Sequence, residues 1–186
     1  MKRLLLATAV SLLTATSALA QTVYIVRHAE KADAPGNPDP ALSEAGQARA
    51  AVLADALRDE HPVLVLTSPL QRTIQTAAPT ADYHSAPSEA VSLDGGGAPH
   101  VAATVARVRA LPADATVLIV GHSNTVPLIA RALGYAEAAD MPECEYDRMT
   151  VVHLDGDETH GEVRRYGAAS SCWVSSSGPR PGQVPP

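Results

Sequence analysis

The chain predicts an α/β fold, a mostly parallel central sheet flanked by helices. Short apolar runs suited to buried strands recur at Val23–Val26, Val63–Leu66 and Val117–Val120. Helix-like stretches fill the intervals between them. Each run breaks off into polar residues: Arg27-His28, Thr67-Ser68 and Gly121-His122.

The elements follow in order. After the first strand, residues 34–40 are rich in Pro, Gly, Asn and Asp and read as a loop. Ser43 is suited to cap a helix, with Glu44 favourable in its first turn, and helical character runs to about Glu60. His61-Pro62 stops it. The second strand, 63–66, leads into a helix that carries Arg72. Val101, Val105 and Val108 stand at helical spacing. After the strand at 117–120, Asn124 can cap a helix that Gly134 closes. Two last strands, 149–154 and 162–166, are expected to join through a turn at Asp155-Gly156-Asp157.

Both ends differ from this body. Met1-Lys2-Arg3 is basic, residues 4–13 are apolar, and Ala18-Leu19-Ala20 fits the small-residue pattern before a signal-peptidase cut. Residues 1–20 are therefore expected to be a signal peptide and the product to be periplasmic or secreted, with no membrane insertion after cleavage. Residues 21–167 form the expected single domain. From 168 to 186 a Ser/Gly/Pro-rich tail follows.

Loss of Lys2 and Arg3 would take the formal charge from −6 to −8. Such a surface argues against nucleic acid or anionic membrane as a partner. Only 3% of the residues are aromatic, which provides no stacking platform for bases. A phosphorylated small molecule remains compatible, because a local cluster of Arg and His can outweigh net charge.

In a parallel sheet, ligands bind beyond the carboxyl ends of the strands. That rule brings Arg27, His28, Arg72 and His122 toward one cleft, where helix N-termini add backbone N–H donors. Two guanidiniums and two imidazoles suit a doubly charged tetrahedral anion such as phosphate. No histidine pair stands at metal-ligand spacing and the two cysteines are far apart, so neither a metal site nor a cofactor is expected.

Arg27-His28-Ala29-Glu30 resembles the Arg-His-Gly motif of the histidine phosphatase superfamily, the phosphoglycerate-mutase-like fold. The run from Leu42 to Ala48 resembles that family's Leu-Thr/Ser-x-x-Gly-x-x-Ala helix start. The runs 68–77 and 121–125 resemble its second-arginine and second-histidine segments. The resemblance spans residues 23 to about 166, with Ala29 in place of the motif's Gly. It implies that His28 is a nucleophile forming a phosphohistidine, that Arg27 and Arg72 hold phosphoryl oxygens, and that His122 donates to the transferring group. It implies no metal.

The family pattern also asks for a carboxyl between the second-arginine and second-histidine segments, as general acid. Asp94, before Gly95-Gly96-Gly97, is the first candidate and Glu89 the second; residues 32–40 and 86–99 are read as specificity loops. Glu30-Lys31 reads as a loop pair at the entrance. Two other functions stay open. Gly121-His122-Ser123, with Asp155 and His160 following, is compatible with a serine hydrolase using Ser123, although Thr125 stands where its elbow needs Gly. A catalytically inactive phosphate-binding module would keep both arginines.

Cys144 and Cys172 are expected to pair in an oxidising compartment. Antiparallel pairing of the last two strands would bring them together at one edge.

Overall fold

The computed structural model describes residues 20–173, so all but the last residue of the expected signal peptide and most of the tail lie outside the described residues. Eleven elements follow one another along the described residues. They are β1 (Gln21–Arg27), α1 (Glu44–Ala56), β2 (Leu64–Thr67), α2 (Gln71–His84), β3 (Ser88–Ala90), α3 (Gly97–Arg109), β4 (Thr116–Gly121), α4 (Val126–Leu133), β5 (Arg148–Asp155), β6 (Glu158–Arg165) and a 3-10 turn at Ser171–Trp173.

The six strands form one sheet in the order β3-β2-β4-β1-β5-β6. The first four are parallel, while β5 and β6 add an antiparallel hairpin beside β1. Alternation along the strands divides the core. Val23, Ile25, Leu64, Leu66, Val117 and Ile119 face α3 and α4, whose Val101, Val105, Val108, Ile129 and Leu133 complete that layer. Tyr24, Val26, Val65, Leu118 and Val120 face the other way, toward Leu53 and Leu57 at α1 and Ala77 and Ala81 of α2. Strands buried on both faces read as continuous apolar runs, which is why β1, β2 and β4 stand out in the sequence.

Register sets the position of the site. Arg27 pairs with Gly121, and Thr67 pairs with Val120. The three central parallel strands therefore end level, and His28, Ser68 and His122 leave the sheet side by side.

Three expectations need correction. Residues 86–99 are not all loop: Ser88–Ala90 form an edge strand beside β2. All three are exposed, so no apolar alternation marks them. The hairpin's second strand starts four residues before the expected Glu162, because its full ladder pairs Asp155 with Glu158 and Arg148 with Arg165. Helix α1 ends at Ala56, and the residues to Glu60 are turns.

Helix α1 is held tightly against the segment after β1. The Ser43 side chain accepts from the Gly46 N–H, and both the N–H and the hydroxyl of Ser43 donate to the Glu30 carbonyl. That carbonyl lies 2.0 Å from where a Cβ on Gly46 would sit. Only glycine permits this approach. Gly46→Ala is expected to cost about 2 kcal/mol, since two backbone segments must part to admit one methyl. Urea unfolding measures it, and an unchanged midpoint would show that the approach is not required.

Among the described residues, no helix is long and apolar enough to cross a membrane.

Candidate active site

Beyond the carboxyl ends of β1, β2 and β4 lies a cleft of about 400 Å³. Arg27, His28, Arg72 and His122 all line it, together with Lys31, Leu93, Gly96, Ser123, Asn124 and Glu143. Four residues spread over the sequence thus meet in one place.

His28 is fixed at three points. Its N–H donates to the Gly121 carbonyl across the β1–β4 boundary. The ring nitrogen Nδ1 lies 2.8 Å from the Ala29 carbonyl, which can only accept, so Nδ1 carries the proton. Nε2 is then the nitrogen with a free lone pair. The N–H of the next residue, Ala29, donates to Thr76 Oγ1. Ala29 is fully buried.

The run from Ser68 to Thr76 works as a scaffold around Arg72. Ser68 Oγ contacts both Thr73 Oγ1 at 2.9 Å and His122 Nε2 at 3.0 Å. Thr76 Oγ1 also donates to the Arg72 carbonyl. The Gln75 side chain accepts from the Leu42 N–H. Helix α2 lacks a cap from its own N-cap residue, Leu70. Asp39 supplies one from the Pro-rich loop, accepting from the Gln71 N–H at 3.0 Å and lying 3.6 Å from Arg72. The sequence marks residues 32–40 as a specificity loop but gives Asp39 no role.

Glu30 and Lys31 separate in the fold. Lys31 lines the cleft. Glu30 turns away to Arg49, which donates from Nε and one terminal nitrogen at 2.7–3.0 Å. That pair ties α1 to the segment that follows β1.

The two rings of His28 and His122 lie 5.4 Å apart. Burial lowers the pKa of His28 to about 4, with the Arg27 and Arg72 cations adding to it. Burial lowers that of His122 to about 3, assisted by His28 and Arg72. Both rings are therefore neutral near pH 7. Since the unfolded chain binds these protons near pH 6.5, the stability they contribute is full above that pH. It falls as pH drops toward about 4 for His28 and about 3 for His122. Denaturant unfolding at pH 7 and 4.5 should show a smaller loss for an H28Q/H122Q variant than for the parent. Equal losses would mean that the histidines do not carry this dependence.

Arg27 reaches both the cleft and the segment between α4 and β5. Its guanidinium lies 4.2 Å from the Tyr146 ring centroid and donates to the Glu143 carbonyl and, at 2.8 Å, to the Glu143 carboxylate. Nε is buried and has no hydrogen-bond partner among the described residues. The other Glu143 oxygen accepts from Ser123 Oγ. The Ser123 hydrogen bond and the Arg27 cation hold Glu143 below the usual carboxylate range.

Glu89 and Asp94 do not join this group. Glu89 belongs to β3 and pairs with Arg107 of α3 at 2.8 Å. Asp94 is exposed on the turn before α3, its N–H donating to Ser92 Oγ. Neither lines the cleft, although their neighbours Leu93 and Gly96 do. Nor is a serine triad assembled. Leu154 pairs with Gln21, at the opposite end of the sheet from Arg27, and Asp155 and His160 belong to that end of the hairpin. Ser123 is left with Glu143 as its side-chain partner. Among the described residues, no group of three or more His, Cys, Asp or Glu is placed to hold a metal ion.

Cys144 and Cys172 form a disulfide, with Cα atoms 5.4 Å apart. The β5–β6 register brings them together, since Arg148 opposite Arg165 puts both flanking segments at one end of the hairpin.

Comparison with known proteins agrees with this geometry. Residues 23–93 match the family model of the histidine phosphatase superfamily (branch 1). An uncharacterised protein of Mycobacterium tuberculosis is 46% identical over 67 residues, which cover 33% of this chain and 33% of that protein. The chain thus spans about a third of the length of the curated relatives it matches. Among solved structures, the protein histidine phosphatase SixA bound to tungstate is similar at 25% identity and a TM-score of 0.60, covering 82% of this chain and 99% of that one. A chain assigned as phosphohistidine phosphatase SixA from Nakamurella multipartitia is 28% identical with a TM-score of 0.57, over 81% and 96%. The chain therefore has a phosphoglycerate-mutase-like α/β fold, and its residues 23–93 are similar to the histidine phosphatase superfamily (branch 1).

Proposed function

We propose that the protein is a metal-independent phosphatase that passes through a phosphohistidine on His28. One observation carries this reading: Arg27, His28, Arg72 and His122 line one cleft, and the Ala29 carbonyl leaves Nε2 of His28 as the nitrogen able to attack. Nε2 forms a bond to phosphorus while the bond to the leaving oxygen breaks, and that oxygen takes a proton. Water then attacks the phosphohistidine, the P–N bond returns its electron pair to Nε2, and phosphate departs. Phosphoryl transfer needs in-line placement and charge neutralisation; Arg27, Arg72 and Lys31 are placed to supply the charge, and the neutral His122 lines the same cleft.

The substrate is a phosphorylated small molecule in this reading. Similarity to SixA also supports a phosphohistidine carried on a protein. Both belong in the test: residues 21–186 are assayed against a panel of phosphate esters and a phosphohistidine peptide, with vanadate and a chelator as separate additions. Turnover that vanadate inhibits and the chelator leaves unchanged is the expected result. Activity lost to the chelator and restored by zinc or magnesium would remove the metal-independent mechanism. No turnover of any substrate would favour a phosphate-binding module. We further propose that residues 1–20 direct export. The intact mass of the product from the native host tests this, because cleavage after Ala20 removes those residues.

A further inference from the structure

The reaction needs a carboxyl beside the leaving oxygen, and neither Asp94 nor Glu89 lines the cleft. Glu143 does, and it is the one carboxylate among the residues that line it. Resting on the phosphatase reading above, we propose that Glu143 is the general acid and base of the reaction.

The segment that carries Glu143 is fixed from several sides. The Glu143 carbonyl accepts from Arg27. The next residue, Cys144, is bridged to Cys172. Glu145 is 1% exposed and paired with Arg148 and Arg165. The Tyr146 and Asp147 N–H groups donate to Ser170 Oγ. Against this fixed backbone the Glu143 side chain itself is 81% exposed. A long side chain on an immobilised backbone can turn its carboxyl within the mouth of the cleft without moving the loop.

Its two oxygens lie on Arg27 and Ser123, both residues of the His28 cleft. In the unliganded site the carboxylate is ionised. Substrate changes that balance. A phosphoryl group that takes Arg27 removes a cation from Glu143 and places an anion beside it, and both effects raise its affinity for a proton. A substrate arriving as the monoanion supplies that proton. When Nε2 of His28 attacks phosphorus, the P–O bond breaks, its electron pair stays on the leaving oxygen, and the Glu143 carboxyl protonates it. The carboxylate then takes a proton from water as that water attacks the phosphohistidine, and is ready for the next substrate. No other reactant is needed.

The test compares E143Q, E143D and D94N with the parent, on an aryl phosphate and an alkyl phosphate. An aryl oxide leaves without help, whereas an alkoxide needs the proton. For E143Q, kcat/KM on the alkyl phosphate should fall about a hundredfold, against less than about fivefold on the aryl phosphate. The aryl substrate should show a burst of product as phosphohistidine hydrolysis becomes limiting. E143D should recover part of the alkyl activity, and D94N should keep the parent's ratio between substrates.

Equal losses on both substrates would overturn the proposal and leave Glu143 as a positioning partner of Arg27. Tighter vanadate inhibition of E143Q with an unchanged substrate ratio would also overturn it, and would identify the carboxylate as a competitor for the phosphate site. The proposal also falls, along with the phosphatase reading itself, if the parent turns over neither substrate or if H28A is as active as the parent. The parent and H28A controls therefore separate the two failures.

Discussion

His28→Ala should lower turnover of an aryl phosphate by at least about 10³-fold, because the substitution removes the covalent route and does not merely weaken it. The size of the effect follows from how singular the nitrogen is. The His122 ring lies beside it, but its Nε2 is already engaged by Ser68. The guanidiniums of Arg27 and Arg72 have no lone pair to offer. Ser123 also lines the cleft, but its hydroxyl donates to Glu143. Labelled substrate, quenched without acid, should leave an acid-labile and base-stable adduct on the parent and none on the variant. Full labelling of the variant would transfer the nucleophile's role to another residue. Because His28 is buried, circular dichroism must first show that the variant keeps its fold.

The parts of the site that were legible in the sequence share a physical origin. Strands buried on both faces must be apolar, so β1, β2 and β4 are conspicuous, and the first polar residue after each lies at the sheet's carboxyl edge. Arg27-His28, Ser68 and His122 could be placed from that alone. The same reasoning predicts Ser43 as a cap, since one turn of helix fixes the relation of Ser43 to Gly46.

Residues whose positions depend on long-range register were not legible. Asp39 caps α2 from 32 residues away, and Glu30 finds Arg49 across 19. Glu143 meets Arg27 across 116 residues, on a segment with no hydrophobic period to mark its path. The family pattern puts the acid between Arg72 and His122. That interval is spent differently here. Glu89 is drawn into the edge strand β3, and Asp94 sits on an exposed turn. The carboxylate that reaches the cleft comes instead from beyond α4, beside the cysteine that anchors its loop.

That anchoring can be measured. The Cys144–Cys172 bridge joins residues 28 apart. Opening it restores the freedom of a loop of that length to the unfolded chain, which costs about 3–4 kcal/mol of stability. The C144S/C172S variant should show this as a lower urea midpoint, with a slope no smaller than the parent's because the opened unfolded chain exposes more surface. Activity should suffer less than stability. Arg27 still holds the Glu143 carbonyl, Ser170 still accepts from Tyr146 and Asp147, and Glu145 stays paired with Arg148 and Arg165. These contacts keep the loop over the cleft in the native state, whereas the disulfide acts mainly on the unfolded one. A variant equal in stability to the parent would show that its unfolded chain is already compact around these residues. A variant as stable as expected but inactive would show that the bridge, and not the Arg27 clamp, sets the position of Glu143.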